Sequence, residues 1–264
     1  MKRRHHNGKK LMSGMFGFLM TLSLVLLFIC IGLSIGVFNT RSITRSIDRS
    51  NYQNEVFQRI RQRNATILSE AGLPEELLSE TMTLDRVYVG GKNYISASLR
   101  KEQPQLNYDL VREDIIETLN HYIETEGVLI TPQLNDGLNT VADAVLNEYK
   151  NGVQLQFINY YMEYRDNFNR GITFVVPILL LVIGSLAYIL FRMQHYKHRG
   201  LRYITYSVIA ASALIIIAAA YVLFTKGYQR IEVGPDYYYN FISYYLKWNT
   251  MVFAYIGVMG VIDR

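Results

Sequence analysis

LMSGMFGFLMTLSLVLLFICIGLSIGVF, residues 11–38, decides how this chain is read: 28 residues without a single charge. A hydrocarbon core about 30 Å thick is crossed by about 20 helical residues, so the stretch predicts a transmembrane helix. A basic head followed by an apolar run also fits a cleaved signal peptide. This run outlasts the usual apolar region of one and ends without a small-x-small site, and the bulky Ile29 before Cys30 does not suit lipoprotein processing. The expectation is an uncleaved anchor. Gly32 and Gly36 form a small-xxx-small pair, and Gly14, Gly17 and Thr21 continue a low-profile face of the kind that lets helices approach closely. The general frequency of glycine in membrane helices accounts for them equally well.

Outward from this run, three more segments are nearly free of charge: 172–191, 203–224 and 241–262, the last interrupted by Lys247. The fold class expected is mainly α: a four-helix polytopic membrane protein with a helical extracytoplasmic domain inserted between transmembrane helices 1 and 2. The divisions are a basic cytoplasmic tail (1–10), TM1 (11–38), an extracytoplasmic helical domain on stalk helices (39–171) and TM2 (172–191). A basic cytoplasmic loop (192–202), TM3 (203–224), a short external loop (225–240) and TM4 (241–262) complete the chain.

Cations beside short loops set the orientation. Lys2, Arg3, Arg4, Lys9 and Lys10 precede TM1, and Arg192, Lys197, Arg199 and Arg202 follow TM2. Residues 39–171 hold 14 Lys or Arg against 19 Asp or Glu, a balance of −5. Lys226 and Arg230 offset Glu232 and Asp236 in the loop 225–240, and Asp263 offsets Arg264. Both termini are therefore expected in the cytoplasm and the large block outside. The overall charge of +5 is concentrated at the cytoplasmic face, where it suits anionic headgroups. No nucleic-acid partner is expected. The sole cysteine, Cys30, lies within TM1, leaving the external block without disulfides; that points to a bacterium, one with a single membrane. Asn64-Ala65-Thr66 is formally a glycosylation sequon of the kind chance supplies.

From Asn39 to Arg63 the spacing of Ile43, Ile47, Val56 and Ile60 predicts a helix continuing out of the membrane. It carries Arg41, Arg45, Arg49, Arg59, Arg61 and Arg63 against Asp48 and Glu55. A solvated helix pairing with its own acidic neighbours explains this; contact with lipid phosphates or an anionic envelope polymer is the sharper reading. Gly72-Leu73-Pro74-Glu75-Glu76 reads as a turn and helix start. Between Leu84 and Leu99, Val87, Val89, Tyr94 and Ile95 flank Gly90-Gly91, which suits a short hairpin, with helix the alternative for the second half. A helix is expected from Asn107 as N-cap to Thr125 with Gly127 as its stop, its apolar face Leu110, Val111, Ile115, Leu119, Tyr122 and Ile123. Another opens at Thr131-Pro132, carries Leu134, Leu138, Val141, Val145, Leu146 and Tyr149, and breaks or bends at Gly152. From Val153 the chain runs without an obvious stop into TM2.

Chemistry is sparse. His121 is the only external histidine, and Asn135-Asp136-Gly137 lacks the alternating ligands of an EF-hand. No nucleophile elbow or phosphate loop is written in the chain. Glu113 and Glu117 share a helical face, as solvated acids commonly do. His195 and His198, with His5 and His6 in the same compartment, read as part of a basic interface rather than a metal site. No metal, no cofactor and no enzymatic activity are expected.

In the membrane portion Pro177 is tolerable near a helix start. Ser207, Ala210, Ala211, Ser212, Ala213, Ala218, Ala219 and Ala220 make TM3 thin enough to pack closely. Tyr228, Tyr237, Tyr238, Tyr239, Tyr244, Tyr245 and Trp248 form an aromatic belt at the outer interface. Lys247 stands out, because a charge within a span costs about 2.5–3.5 kcal/mol on insertion scales. With Asn240, Ser243, Thr250, Ala254 and Gly257 it follows spacings of three and four, and no Asp or Glu lies in any span to pair with it. It either snorkels to the surface or meets a carbonyl, a lipid phosphate or a carboxylate of another subunit. The interaction residues expected are Lys247, Asn240, Ser243, Thr250, Arg59, Arg61 and Arg63.

The order of spans and loops resembles the permease subunits of the FtsX and MacB type, which work with a separate cytoplasmic ATPase. The resemblance rests on topology, with no residue motif behind it; it implies an ATPase partner at the 192–202 loop and a transporter-like role. The chain's own residues point instead to a non-enzymatic envelope protein. In that reading the external helical domain binds a protein or envelope component as an assembly, accessory or sensing subunit. The partners expected are other membrane proteins or further copies of the chain, and the lipid bilayer.

Overall fold

A computed structural model describes residues 2–129, 131–155, 157–194, 197–229 and 236–262, with side chains from Leu11 onward except those of Lys197, Asp236 and Tyr237. His195, Arg230, Glu232 and the Asp263–Arg264 pair lie outside the described residues. All regular structure among the described residues is helical. In chain order it comprises α1 (Lys2–Gly32), a π-helical turn (Leu33–Val37), α2 (Thr40–Arg49), α3 (Tyr52–Glu70), α4 (Leu84–Arg100) and α5 (Tyr108–Thr125). There follow α6 (Pro132–Val153), α7 (Phe157–Met193), α8 (Lys197–Thr225), a 3-10 turn (Gly227–Gln229) and α9 (Asp236–Ile262). They divide into two compact units, one of residues 1–46 with 165–264 and one of residues 47–164.

Three helical stretches are long and apolar enough to cross a membrane: Leu11–Val37, His198–Thr225, and one within Pro132–Met193, whose charge-poor part is 172–191 of α7. At 27 residues α9 is long enough to span. It is not among those three, because Asn240, Lys247 and Asn249 dilute its hydropathy.

In the first unit small residues set the spacing between helices. The Ser207 hydroxyl of α8 donates to the Gly17 carbonyl of α1 at 2.9 Å, and a Cβ at Gly17 would touch Ser207 and Tyr203. Met20 and Leu24 of α1, Leu186 and Leu190 of α7 and Ala211 of α8 form a buried cluster. The Gln194 amide, just past α7, donates to Ser13 of α1 at 2.8 Å. Where α8 meets α9, a Cβ at Gly257 would lie 3.1 Å from the Ser212 carbonyl, and one at Gly260 would collide with the Ser212 hydroxyl. The low-profile face is thus used at Gly17 of α1 against α8, and at Gly32 of α1 and Gly36 of the π turn against α9.

The single helix expected from Asn39 to Arg63 is interrupted. The Phe38 amide reaches back to the Leu33 carbonyl at 2.8 Å, closing a π turn, and α2 ends before Asn51, which sits at φ 59. Asn is a residue type that tolerates the left-handed region, so no glycine or proline was needed to break the helix.

The second unit buries one face from each helix. Val111, Ile115, Leu119 and Ile123 of α5 are each 8% exposed or less, as are Leu138, Val145, Leu146 and Tyr149 of α6; at about 1.5–3 kcal/mol per large apolar side chain these faces hold the unit together. Leu110, expected on that face, is 55% exposed. Thr131 Oγ1 caps α6, accepting from the Leu134 amide at 3.2 Å, whereas α5 begins directly after Asn107 without a bond from its side chain to the helix amides. Gly127 takes φ +71 and stops α5.

Two local expectations are corrected. Residues 84–99 form no hairpin: α4 is helical throughout, capped by Thr83, whose Oγ1 accepts from the Arg86 amide at 3.3 Å. Its glycines mark close packing rather than a turn. A Cβ at Gly90 would lie 2.5 Å from Tyr149 Oη, and one at Gly91 2.7 Å from the Gln53 amide. Gly152 lies one residue before the end of α6 at Val153 and admits Ile60, whose Cδ1 would be 2.6 Å from an added Cβ. After Pro74 the chain makes isolated turns, Leu77 to Pro74 and Ser79 to Glu76, before Thr83 opens α4. A stretch that short repays poorly the cost of nucleating a helix.

Candidate functional site

The residues expected to interact do not converge on one place. Lys247 and Asn240 are exposed; among the described residues Lys247 forms no ion pair, and Asn240 has a partner of its own. The Ser243 hydroxyl donates to the Tyr228 carbonyl at 3.3 Å and that of Thr250 to the Leu246 carbonyl at 2.8 Å, so both are satisfied locally. Arg59, Arg61 and Arg63 lie on the exposed side of α3. Arg61 reaches Glu76 at 3.5 Å, across a pair 56% and 83% exposed, where an ion pair contributes little. Arg59 is partnered as well. For Arg61 that partner is an acidic neighbour, as the plainer reading of this helix expects.

The polar residue of α9 that is buried is Asn249, 3% exposed. Its Nδ2 donates to the Tyr245 carbonyl at 2.7 Å. Its Oδ1 accepts no hydrogen bond and faces Gly36 in the π turn, 2.7 Å from where a Cβ would be. The Tyr245 hydroxyl donates to the Val37 carbonyl at 2.5 Å, capturing a group at the end of that turn. A Cβ at Gly32 would collide with the Phe253 ring. Arg45 stacks over Trp248 at 4.7 Å, within reach of a cation–π attraction. The junction of α1 and α9 is therefore tight and polar. Charge drew attention to Lys247, yet burial singles out its neighbour.

At the other end of α7, a Cβ on Gly200 would lie 2.9 Å from the Phe191 Cα. α7 ends at Met193 and α8 begins at Lys197, so an ATPase partner at 192–202 would meet helix ends packed on each other.

Two concavities lie on the second unit. One, about 1110 Å³, is lined by Glu76, Glu80, Glu113, Glu117, Glu124 and His121 among others. No group of three His, Cys, Asp or Glu among the described residues is arranged to hold a metal. The other, about 420 Å³, is lined from α4, the 105–107 segment, α5 and Tyr149 of α6. That volume falls in the range of small-molecule sites. Tyr108 and Tyr149 meet edge to face at 6.4 Å, and burial pushes both phenols above their usual pKa, keeping them protonated. The Gln154 amide donates to the Tyr108 hydroxyl at 2.9 Å, and the Tyr149 hydroxyl makes a long 3.4 Å contact with the Arg86 carbonyl. Sequence reading missed this cavity because its walls come from segments up to about 60 residues apart, without a shared motif.

Asn64 of the sequon is 3% exposed on α3, out of reach of a glycosylating enzyme in the folded unit. The chain matches no protein-family model, no curated protein and no solved structure.

Proposed function

We propose that the chain is a non-enzymatic, four-span membrane protein of a bacterial envelope, with both termini in the cytoplasm. In this reading the domain between the first two spans binds a protein or envelope component outside. The observation that carries it is the division of the chain. Residues 47–164 cluster as a compact unit with an apolar core of their own, while the helices apolar enough to cross a membrane owe their charge-poor parts to the other unit. A separately cored domain set between membrane segments is suited to contact. The acidic balance of that block and the basic residues before α1 and after α7 support the orientation.

Labelling in intact cells tests it. In a Cys30→Ala background, Glu126→Cys, at the exposed end of α5, is expected to react with a membrane-impermeant maleimide added outside. A cysteine at Ser79 should react likewise and one at Arg199 only after permeabilisation. Protection of Glu126→Cys in intact cells would overturn the topology and with it the reading.

A further inference from the structure

Resting on the reading of residues 47–164 as an external binding domain, we propose that the 420 Å³ cavity beside α4 and α5 binds an uncharged saccharide. Three carboxamides reach this cavity: Asn93 from α4, Gln105 from the connecting segment, and Asn107 at the start of α5. Asn107 occupies an N-cap position where the side chain would ordinarily bond to the helix amides, yet it makes no capping bond. None of the three carboxamides has a hydrogen-bond partner among the described residues. Each offers a donor pair and an acceptor without charge, a set that matches neighbouring hydroxyls.

The charges lining the cavity disfavour an anionic ligand. Its guanidinium, Arg86, is already engaged by Asp114 and by the Thr81 carbonyl at 3.0 Å. The Asp85 carboxylate has no cation partner among the described residues. Among the lining residues an incoming phosphate or carboxylate would meet the Asp85 charge and an Arg86 already engaged, while Lys150, outside the lining, stacks over the Tyr108 ring at 4.9 Å. Val111 and the paired rings of Tyr108 and Tyr149 supply an apolar wall, and Val89 and Leu110, 54% and 55% exposed, form its rim. Apolar walls with a few placed polar groups are the general make-up of ligand sites, and here they suit the C–H face and the hydroxyl edge of a sugar ring. The Tyr108 hydroxyl, which accepts from Gln154, keeps a proton to donate, whereas that of Tyr149 is directed at the Arg86 carbonyl.

Saturation-transfer NMR on the full chain in nanodiscs free of glycolipid tests the proposal. The probes are maltose and N,N′-diacetylchitobiose, with glucuronic acid and spermidine as charged comparators. Transfer to the ring protons of at least one disaccharide is expected, exceeding that to either comparator. It should fall at least fivefold in Val89→Trp, which fills the mouth from an exposed position, and in the Asn93→Ala/Asn107→Ala double variant, which removes no bond of the fold. No transfer to either disaccharide, transfer that survives Val89→Trp, or a preference for spermidine would overturn it. External labelling of Glu126→Cys together with absent sugar binding sinks this inference alone, whereas protection of Glu126→Cys sinks the parent reading whatever the sugars do.

Discussion

Replacing glycine with alanine at two helical positions of the second unit separates backbone propensity from packing. Gly90 in α4 and Gly137 in α6 both sit inside helices, where alanine gains about 1 kcal/mol over glycine. At Gly137 an added Cβ meets nothing within 4 Å, so the gain should appear in full. At Gly90 it would lie 2.5 Å from Tyr149 Oη and 3.3 Å from Val153 Cγ1. Tyr149 is 4% exposed and Val153 2%, so neither can swing away cheaply, and overpacking of this kind costs about 1–3 kcal/mol. The propensity gain cancels in the difference between the two variants. Gly137→Ala should therefore be about 1–3 kcal/mol more stable than Gly90→Ala, with Gly90→Ala at or below the parent. Urea-pulse proteolysis of the full chain in detergent reads this out; at a slope of about 2 kcal/mol/M, the two midpoints should differ by about 0.5–1.5 M. Equal midpoints would refute the close packing of α4 on α6.

Gly36→Leu should push α9 off the π turn, since its first side-chain carbon already falls on Asn249. Trp248, the only tryptophan, reports it as increased acrylamide quenching, and unchanged quenching would argue against the contact. Burial raises the pKa of Tyr108 and Tyr149, so the unfolded chain gives up these protons first as pH rises. Stability should hold below about pH 10 and decline as pH climbs through the folded values. Tyr149→Phe should flatten that alkaline slope in urea midpoints taken between pH 9 and 11.

Much of the second unit was legible because its helices carry their signals locally. α5 and α6 show threefold and fourfold apolar spacing, Thr131-Pro132 announces a start and Gly127 a stop. The errors fall where a residue's role depends on what lies across from it. Gly90-Gly91 looks the same in a hairpin turn and in a helix pressed against Tyr149 and Gln53; only the partners distinguish them. Asn51 breaks a helix from a left-handed conformation that a glycine or proline would have advertised. The π turn has no side-chain signature, because it consists of a shifted hydrogen bond. Lys247 was legible as a charge with snorkelling as one of its readings, whereas Asn249 became visible only once α9 lay against Gly36. The three helices apolar enough to cross a membrane followed from composition, and α9 carries more polar groups.

The π turn also sets where the first apolar helix can gain or lose a residue. Each residue of an α-helix advances the chain by about 100°. Gly17 must face α8 while Gly32 faces α9, so a deletion between them would swing one of these contacts out of register. The same deletion within Leu33–Val37 could be absorbed, because that turn already holds one residue more than an α-helical turn requires. In length-altered variants of this chain, changes near the end of the helix should therefore be tolerated where changes in its middle are not.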